Sequence, residues 1–594
     1  MLRKACLGLL SGLALLGLVA ASAGRRAPEL TPICQIQGPG FSTPYLGQIV
    51  TTQGVVHADL DQTAQRGFFL QAEACDGDPL TSDGIFVYLG QRLDLVQSGD
   101  LVEVSGLAQE YYGLTEIAAA PADVLVLSHA NPLPIPAALS PPFDNQQARI
   151  YLESRESMRV GLAQAVVVGP TGDDDETWLV SAELGIGRVF HDDPLGTGEV
   201  LCVDDQGLFE IAPEAAVGDQ VLGLVGALDY SFGEYRLALT ENPALLPGES
   251  AAAPPDENTF TIATFNLHDL FDTLDDPLTQ DSVLTQAEYQ RRLHKRALAI
   301  HADLAEPTLL AVQEVENLAT LQALADQPEI AAEYEPVLLD GPDARGLDVA
   351  LLYRPDQASL LSYRQAQGCT ALVDGLGPDG NNDVYHPQNA LTCDSDGDGS
   401  LDGNRLFSRP PLLVQLQLLL PPSAAADRPA EEALEVWLIL NHWKSKVHDT
   451  ATVQYTLPRR LAEAQFVAGL VAEIQASAPG ASILVLGDLN DNPDSAPLGV
   501  IRSVGLRDLS QRVLRVERYS YIYQGISLQF DTIFARLDRR LRLVGAGFSH
   551  INADYPVVYA GDEQLSRRSS DHDPFWVGLS WHDQLVYLPL VAAR

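Results

Sequence analysis

Two short segments near the C-terminus carry side chains that could bind a metal ion and move protons. Residues 483–486 form an apolar run that a glycine breaks, and Asp488 and Asn490 follow it. Residues two apart in an extended segment face the same side, so this carboxylate and this amide point the same way. Further along the chain, Asp571 and His572 stand together. Carboxylate and amide oxygens suit a hard divalent cation, and histidine can transfer a proton near neutral pH.

Other apolar segments deliver polar side chains in the same way. Each has the composition of a buried strand and leads to a carboxylate, amide or imidazole: 261–265 to Asn266, 309–313 to Glu314, 437–440 to Asn441 and His442, and 521–530 to Asp531. Strands that each deliver one such residue favour a single site at the edge of a β-sandwich. The residue types predict oxygen ligands for a divalent cation and histidines for general acid–base catalysis.

At these residues the chain resembles the endonuclease/exonuclease/phosphatase superfamily, whose fold is that of pancreatic-type DNase, AP endonucleases, inositol polyphosphate phosphatases and bacterial sphingomyelinases. The matching pieces stand in family order: the strand ending at Asn266, then 313–314, 441–442, 487–490, Asp531 and 570–572. The resemblance implies an α+β fold, with a four-layer α/β-sandwich (DNase I-like) as the catalytic domain over 260–580.

The resemblance also implies a metal centre that takes Mg²⁺ or Mn²⁺. Glu314 is the principal ligand that it implies, and the alternative for this residue is a charge at a helix N-terminus. Asn266 is expected at the same centre, where it would position that carboxylate or the phosphate. Asp571 would be a further acidic group at the metal site.

Two histidines are the candidates for proton transfer, because each lies within a matching motif. These are His442 and His572, and a satisfied core histidine is the alternative for either. Asp531 matches the carboxylate that orients the second histidine in this family. Asp348 is expected to orient His442 in the same way, with an ordinary edge-strand carboxylate as its alternative.

The remaining motif residues are expected to contact the phosphate and the attacking water. Asp488 and Asn490 would align the water and hold the phosphoryl oxygens. Arg409 matches the phosphate-contacting arginine of the family, and a guanidinium can clamp a phosphate through two hydrogen bonds. A surface salt bridge is the alternative for Arg409.

An acidic run between the matching pieces has the spacing of a calcium loop. Its carboxylates occupy the first, third, fifth and ninth positions, with glycine at the sixth: Asp394, Asp396, Asp398 and Asp402. Arg405 stands at the twelfth position, where an EF-hand has glutamate, so a looser structural Ca²⁺ site is predicted. The alternative is a solvated acidic loop.

The N-terminal half is rich in β-branched residues and turns, and it contains a weak repeat. Gly106 and Gly113 have the same spacing as Gly226 and Gly233. This favours two tandem OB-like β-barrels, at 30–130 and 145–248, followed by a linker at 249–259, the catalytic domain and a tail at 581–594. For the barrels, a passive spacer is preferred to a nucleic-acid platform because they are acidic.

The chain begins with the features of a secretory signal peptide, predicted at 1–23. Export favours disulfides, and the predicted pairs are Cys34–Cys75 and Cys369–Cys393. Cys202 is left over and is expected to be a small buried residue. No membrane span and no obligate protein partner are expected.

These features predict a secreted phosphodiesterase that needs a divalent metal and cleaves extracellular nucleic acid, DNA first and RNA as a further candidate. Layout and motifs resemble secreted bacterial nucleases of the same superfamily. The net charge of −43 disfavours tight non-specific binding to nucleic acid, although a bound cation would supply positive charge at the scissile phosphate. The first alternative is the same fold acting on a phospholipid head group or a phosphomonoester. The second is a non-catalytic extracellular binding protein, which the competent residues at every matched position disfavour.

Overall fold

Two small β-barrels precede a larger α/β-sandwich in this chain. The computed structural model describes residues 29–581 except 74, 205, 249–259, 372–392, 420–433, 448 and 451–452. The predicted signal peptide (1–23), the predicted linker (249–259) and the predicted tail after residue 581 lie outside the described residues.

The first barrel forms because its strands turn apolar side chains toward a common interior. Its elements are α1 (Ile33–Gln37), β1 (Ile49–Leu60), β2 (Gly67–Gln71), β3 (Gly84–Tyr88), β4 (Leu101–Tyr111), β5 (Leu114–Ala118) and β6 (Val124–Ser128). The sheet runs β1-β2-β3-β5-β4-β6, and β1 also pairs with β4, which closes the barrel. Val56, Phe68 and Ile117 are fully buried in its interior. The predicted disulfide Cys34–Cys75 is confirmed and ties α1 to the barrel.

The second barrel repeats this topology. Its elements are β7 (Ala137–Ala138), α2 (Asn145–Glu153), β8 (Arg159–Gly169), β9 (Thr177–Ser181), β10 (Val189–Phe190), β11 (Leu201–Asp204), β12 (Gln220–Ser231), β13 (Glu234–Leu239) and β14 (Ala244–Leu246). The order β8-β9-β11-β13-β12 closes through a β12–β8 pairing, just as β1-β2-β3-β5-β4 closes through β4–β1. The prediction of two OB-like barrels is confirmed. Cys202 is a buried free thiol in β11.

The C-terminal domain contains two β-sheets that face each other. In chain order its strands are β15 (Phe260–Leu270), β16 (Leu309–Val315), β17 (Glu335–Leu338), β18 (Asp348–Tyr353), β19 (Ala358–Gln365), β20 (Cys369–Thr370), β21 (Asn404–Arg405), β22 (Leu412–Leu418), β23 (Leu434–His442), β24 (Ser482–Asp488), β25 (Arg507–Asp508), β26 (Tyr521–Tyr523), β27 (Ile526–Leu528), β28 (Asp531–Arg536), β29 (Leu541–Phe548) and β30 (Phe575–Trp581). One sheet, called sheet A, runs β17-β18-β16-β15-β30-β29, and the other, sheet B, runs β19-β22-β23-β24-β28-β25. Apolar side chains of both sheets meet between them, including Leu351, Leu438 and Val577.

Helices cover the outer face of each sheet. They are α3 (Gln286–Leu298), α4 (Leu318–Ala325), α5 (Leu457–Ser477) and α6 (Ala496–Ser503). Helices α3 and α4 pack on sheet A, and α5 and α6 pack on sheet B. Side chains of Thr285, Asn317 and Ser495 accept hydrogen bonds from the first turns of α3, α4 and α6, which is the usual way in which free backbone N–H groups at a helix start are satisfied. The order helix, sheet, sheet, helix confirms the predicted four-layer sandwich.

Short helical turns complete the described chain. They are the 3-10 helices Pro121–Asp123, Ala182–Leu184, Leu509–Arg512, Arg515–Glu517 and Val557–Gly561, and the π-helix Ala299–Asp303, which follows α3. The predicted disulfide Cys369–Cys393 is also confirmed. Over the ranges that the structure describes, no helix is both long and apolar enough to cross a membrane.

Candidate active site

The register of sheet B brings three of the predicted site residues into one row. His442 at the end of β23 lies opposite Asp488 at the end of β24, and Asp488 lies opposite Asp531 at the start of β28. Gly487 makes this close pairing possible, because a Cβ atom at this position would lie 2.0 Å from the carbonyl oxygen of Asn441. With a φ of 131°, the position also favours glycine.

Sheet A contributes Glu314 through a β-bulge. Gln313 and Val315 pair with consecutive residues of β18, so Glu314 between them is the extra residue. Its φ of 62° is unusual for a residue other than glycine and costs about 1–3 kcal/mol. Strain of this kind persists only where the surroundings enforce it, and here Asn266 Nδ2 and the Asp269 N–H each donate to one oxygen of the carboxylate, at 3.1 and 2.9 Å.

The amide of Asn266 joins the two sheets at the site. Its Nδ2 donates to Glu314 Oε1 and to Asp488 Oδ2, at 3.1 Å in both cases, and its Oδ1 accepts from the N–H of His268 at 2.9 Å. Asn266 is almost fully buried. In this geometry the amide holds two carboxylates in place, which agrees with the positioning role expected for it.

His572 forms a buried pair with Asp531. Its Nδ1 lies 2.7 Å from Asp531 Oδ2, and its ring packs 4.8 Å from the ring of Tyr521. Burial opposes the positive charge of this imidazole, but Asp531, Asp488 and Asp571 surround it and raise the pKa of His572 well above its ordinary value. The expected contact between Asp531 and the second histidine is therefore present.

His442 is also buried, but its surroundings favour the neutral ring. Its Nε2 lies 3.4 Å from Asp488 Oδ2 and 3.7 Å from Glu314 Oε1. Burial, together with the positive charges of Arg409 and His572, holds the pKa of His442 well below its ordinary value. The two imidazoles at the site thus have pKa values shifted in opposite directions.

The expected contact between Asp348 and His442 is not found. Asp348 Oδ2 accepts from the N–H of Gly341 at 3.1 Å, and neither Asp348 Oδ1 nor His442 Nδ1 has a hydrogen-bond partner among the described residues. Asp348 lies at the start of β18, and burial raises its pKa to about 8. Strand β18 lies between β17 and β16 and Asp348 is buried, so Asp348 is not an edge-strand carboxylate either.

Asp488 and Asn490 are hydrogen-bonded to each other and to neighbouring residues of the site. Burial raises the pKa of Asp488 to about 7, although the charge of His572 opposes this shift. The N–H of Asn490 donates to Asp488 Oδ1 at 2.9 Å, and its side chain donates to the carbonyl oxygen of Trp443 at 3.1 Å. The side chains do not simply face one way as two residues of an extended strand would, because Asn490 has a left-handed φ of 48°.

Arg409 is buried beside this group. Its Nη2 donates to the Trp443 carbonyl at 3.5 Å, its Nη1 lies 3.8 Å from Asp343, and its Nε has no hydrogen-bond partner among the described residues. A cavity of about 1140 Å³ opens here, and Arg345, Arg409 and Lys444 are among the residues that line it. A guanidinium group that lines a cavity is suited to bind an anion.

The carboxylates at the site fit a divalent cation. Burial and the charge of Asp571 oppose ionisation of Glu314, but Arg409, Asp269 and His268 outweigh them and lower its pKa. The pKa of Asp571 is also lowered, since His268, His572 and Arg568 outweigh its burial. Two ionised, partly exposed carboxylates that repel each other form a donor set that a hard cation prefers.

Three of the four predicted carboxylates in the acidic run lie close enough together to hold a cation. Oxygens of Asp394, Asp396 and Asp398 lie within 4.8 Å of one another. Asp402 is not part of this cluster, and one oxygen of its carboxylate accepts from the N–H and the hydroxyl of Ser395 at 2.8 Å. The predicted four-carboxylate set is therefore reduced to three in this geometry.

The sequence interpretation missed several residues that contact the site. His268 Nδ1 lies 3.7 Å from Asp571 Oδ1, and the Asp269 N–H binds Glu314. Both residues lie shortly after Asn266 in the chain and have positive φ angles of 50°. Their polar side chains just after the Asn266 strand motif were the available signal. The irregularity in β15 between Asn266 and Leu270, where they lie, cannot be predicted from residue types.

A cleft of about 870 Å³ separates the site from the second barrel. Asp571 and His268 line the side of the C-terminal domain, while Phe232, Arg236 and the acidic loop 173–176 line the barrel side. Phe232 is 81% exposed at the tip of the β12–β13 hairpin.

The first barrel has an exposed aromatic tip at the equivalent hairpin. It consists of Tyr111 and Tyr112, whose rings lie 4.9 Å apart.

Comparison with known proteins agrees with this architecture. Residues 261–374 and 430–519 match the family described as Endonuclease/Exonuclease/phosphatase family. Residues 140–250, which include most of the second barrel, match a domain of unknown function (DUF8508). No curated protein matches the chain.

Several solved structures are similar to the C-terminal part. An endonuclease/exonuclease/phosphatase from Bacteroides vulgatus is 14% identical, with 55% of this chain and 100% of that chain covered and a TM-score of 0.33. TDP2 from D. rerio, complexed with a single-strand DNA product, is 14% identical over 55% and 100%, with a TM-score of 0.34. A mannosyl-6-phosphatase from Bacteroides thetaiotaomicron is 12% identical over 54% and 100%, with a TM-score of 0.33. Similarity at this level says nothing about the substrate of this chain.

Proposed function

Because its C-terminal domain belongs to the endonuclease/exonuclease/phosphatase family, whose members are phosphoester hydrolases, we propose that the protein is a secreted, divalent-metal-dependent phosphodiesterase. Its substrate is extracellular nucleic acid, DNA first and RNA as a further candidate. Confirmed disulfides at Cys34–Cys75 and Cys369–Cys393 support export, since such bonds persist in oxidising compartments.

One observation carries this proposal. His442, Asp488, Asp531 and His572 lie side by side on sheet B and its adjoining loop, and the Asn266 amide joins Asp488 to Glu314 on sheet A. Structural ion pairs alone would not require a strained bulge and two buried histidines with opposite pKa shifts beside one group of carboxylates. Such groupings of perturbed residues are typical of catalytic sites.

The residues divide the work of an in-line displacement. Water attacks phosphorus while the bond to the leaving oxygen breaks, and the histidine pair accepts a proton from the water and gives one to the leaving oxygen. Asp488 and Asn490 align the water and hold the phosphoryl oxygens, and Asp531 holds the ring of His572 in place. Arg409, which lines the cavity, would bind the phosphate through its guanidinium group.

Glu314 and Asp571 would hold the metal ion. When bound, Mg²⁺ or Mn²⁺ supplies positive charge at the phosphoryl oxygens. Asn266 keeps the Glu314 carboxylate oriented through its hydrogen bond at 3.1 Å. This local positive charge offsets the net charge of −43, which would otherwise oppose the approach of a polyanion.

Purified protein should be assayed on supercoiled plasmid, linear DNA, RNA, sphingomyelin and p-nitrophenyl phosphate, each with Mg²⁺ and with EDTA. DNA cleavage should require the metal, and Glu314→Gln should abolish it at ordinary Mg²⁺ because the shape is kept and the charge is lost. Glu333→Gln, the same change at an exposed position of the same domain, is the matched control and should be fully active.

Each other outcome has a clear meaning. Full activity in EDTA or in Glu314→Gln would show that the metal assignment is wrong. Hydrolysis of sphingomyelin or of the phosphomonoester alone would replace nucleic acid as the substrate class. Failure to hydrolyse any of the five would favour the non-catalytic binding protein.

A further inference from the structure

The second barrel meets the catalytic domain beside the segment that supports His572. Strand β10 of the barrel pairs in parallel with β27 of the catalytic domain, with Val189 opposite Ile526. The barrel thereby extends the β26–β27 hairpin into a three-stranded sheet within the described chain. Asp531 follows this hairpin closely in the chain, so the barrel contacts the segment that leads to the Asp531 carboxylate.

Arg188, the residue before β10, reaches across this interface. Its Nη2 donates to both oxygens of Asp554 at 2.9 and 3.1 Å, and its Nη1 donates to the hydroxyl of Ser527 at 3.1 Å. Its guanidinium carbon lies 3.7 Å from the ring centroid of Tyr519, whose hydroxyl donates to Asp554 at 2.8 Å. The side chain of Arg188 is 15% exposed and that of Asp554 is 8% exposed. Breaking a buried pair of this kind is costly, because it leaves one charge without a partner.

Tyr519 begins a short segment whose next two residues support the catalytic pair. The hydroxyl of Ser520 accepts from the N–H of Asp531 at 3.0 Å. The ring of Tyr521 packs 4.8 Å from the ring of His572. A shift of this segment would therefore move both members of the Asp531–His572 pair.

A second line of contacts leads from Tyr519 to the residue after His572. The ring of Tyr519 stacks on His550 at 3.9 Å with an interplanar angle of 5°. His550 Nδ1 lies 2.9 Å from Asp573 Oδ2, and the N–H of Asp573 donates to the carbonyl of Ser520 at 2.8 Å. Arg188 thus contacts Tyr519, and both sets of contacts with the Asp531–His572 pair start at Tyr519.

We propose that Arg188 is a positioning residue for the Asp531–His572 pair, and that the second barrel is therefore a working part of the catalytic centre. The reason is geometric, since Arg188 holds Tyr519 against Asp554 and Ser527 while the two following residues hold the pair. This inference rests on the proposed function for its kinetic consequences, and it replaces the passive-spacer interpretation of the second barrel.

The test compares Arg188→Ala with Arg515→Ala on the best substrate found for the unmodified protein, below the melting temperature of each variant. Arg515 is a matched control, because it pairs with Asp192 across the same interface at 2.7 Å but is 53% exposed and does not touch Tyr519. Arg188→Ala should lower kcat at least tenfold with KM changed less than twofold, and Arg515→Ala should change neither by more than twofold. Arg188→Lys should recover part of the loss, because it keeps a charge beside Asp554.

A second measurement does not depend on activity. The hydrogen bond between His572 Nδ1 and Asp531 should give a downfield proton resonance in NMR spectra, identified by its loss in His572→Ala. This resonance should shift or disappear in Arg188→Ala and in Arg188→Lys, and it should remain unchanged in Arg515→Ala.

A folded Arg188 variant with normal kcat, or with an unchanged resonance, would overturn the positioning role. If Arg188→Ala fails to fold, Arg188→Lys carries the same two comparisons. An unmodified protein without any hydrolytic activity would overturn the proposed function, while the resonance would still decide the positioning role.

Discussion

Replacing Asp531 by asparagine should weaken catalysis by a predictable amount. The carboxylate is fully buried, and its Oδ2 lies 2.7 Å from Nδ1 of His572, whose side chain is 9% exposed. Solvent therefore screens this interaction little. Asparagine has nearly the same shape, so the change removes the charge and leaves the packing against Ser520 in place.

The size of the effect follows from the kind of hydrogen bond that is weakened. A hydrogen bond to a charged group contributes about 1.5–3 kcal/mol. Since each 1.36 kcal/mol of transition-state stabilisation is tenfold in rate, Asp531→Asn should lower kcat by roughly 10- to 150-fold. His572→Ala removes the imidazole itself and should cost about two orders of magnitude or more.

A double-mutant cycle separates an orienting role from an independent one. Steady-state kcat on DNA at saturating Mg²⁺ is measured for Asp531→Asn, His572→Ala and the double variant. If Asp531 acts through His572, the double variant should be no slower than His572→Ala. A double variant slowed by the product of the two single effects would refute the reasoning.

Three further predictions concern other parts of the molecule. His442→Ala should lose about two or more orders of magnitude in turnover, and near-normal turnover would favour a mechanism with one histidine. Ca²⁺ should raise the melting temperature by mass action and protect residues 394–405 from proteolysis. The double variant Asp396→Ala with Asp398→Ala should lose both effects and keep Mg²⁺-dependent cleavage. If Ca²⁺ has neither effect on the unmodified protein, the run is a solvated acidic loop. Burial opposes the charge of His550, but its hydrogen bond with Asp573 and the carboxylate of Glu517, 3.3 Å away, raise its pKa to about 9. Because the folded pKa exceeds the ordinary value of 6.5, the stability that the charged ring contributes is complete below pH 6.5 and is lost as the pH rises through 9. Urea denaturation should show this fall of about 3 kcal/mol, and an equal fall in His550→Gln would contradict it.

The residue pattern was sufficient to predict the architecture, and the structure brings several of the predicted site residues close together. Apolar runs that each end in one polar residue indicated strands meeting at an edge, and the sheet registers of His442, Asp488 and Asp531 agree with that expectation. The glycine spacing predicted the repeated barrel, and cysteine positions predicted both disulfides. These features are local or periodic, so the order of residues along the chain is enough to show them.

Contacts between separate layers were not predictable in this way. The position of Glu314 depends on a bulge in β16, and the bridge from Asn266 to Asp488 depends on how the two sheets face each other. The docking of Arg188 depends on where a barrel lies relative to a hairpin more than 300 residues later in the chain.

Sequence alone therefore determined which strands end in chemically useful residues, because strand periodicity and residue type are properties of short segments. The tertiary structure decided which of those residues touch and how their charges interact. The physical reason is that burial and the distances between charges arise only after sheets, helices and barrels have packed. The opposite pKa shifts of His442 and His572, two residues of the same type at one site, are the direct result.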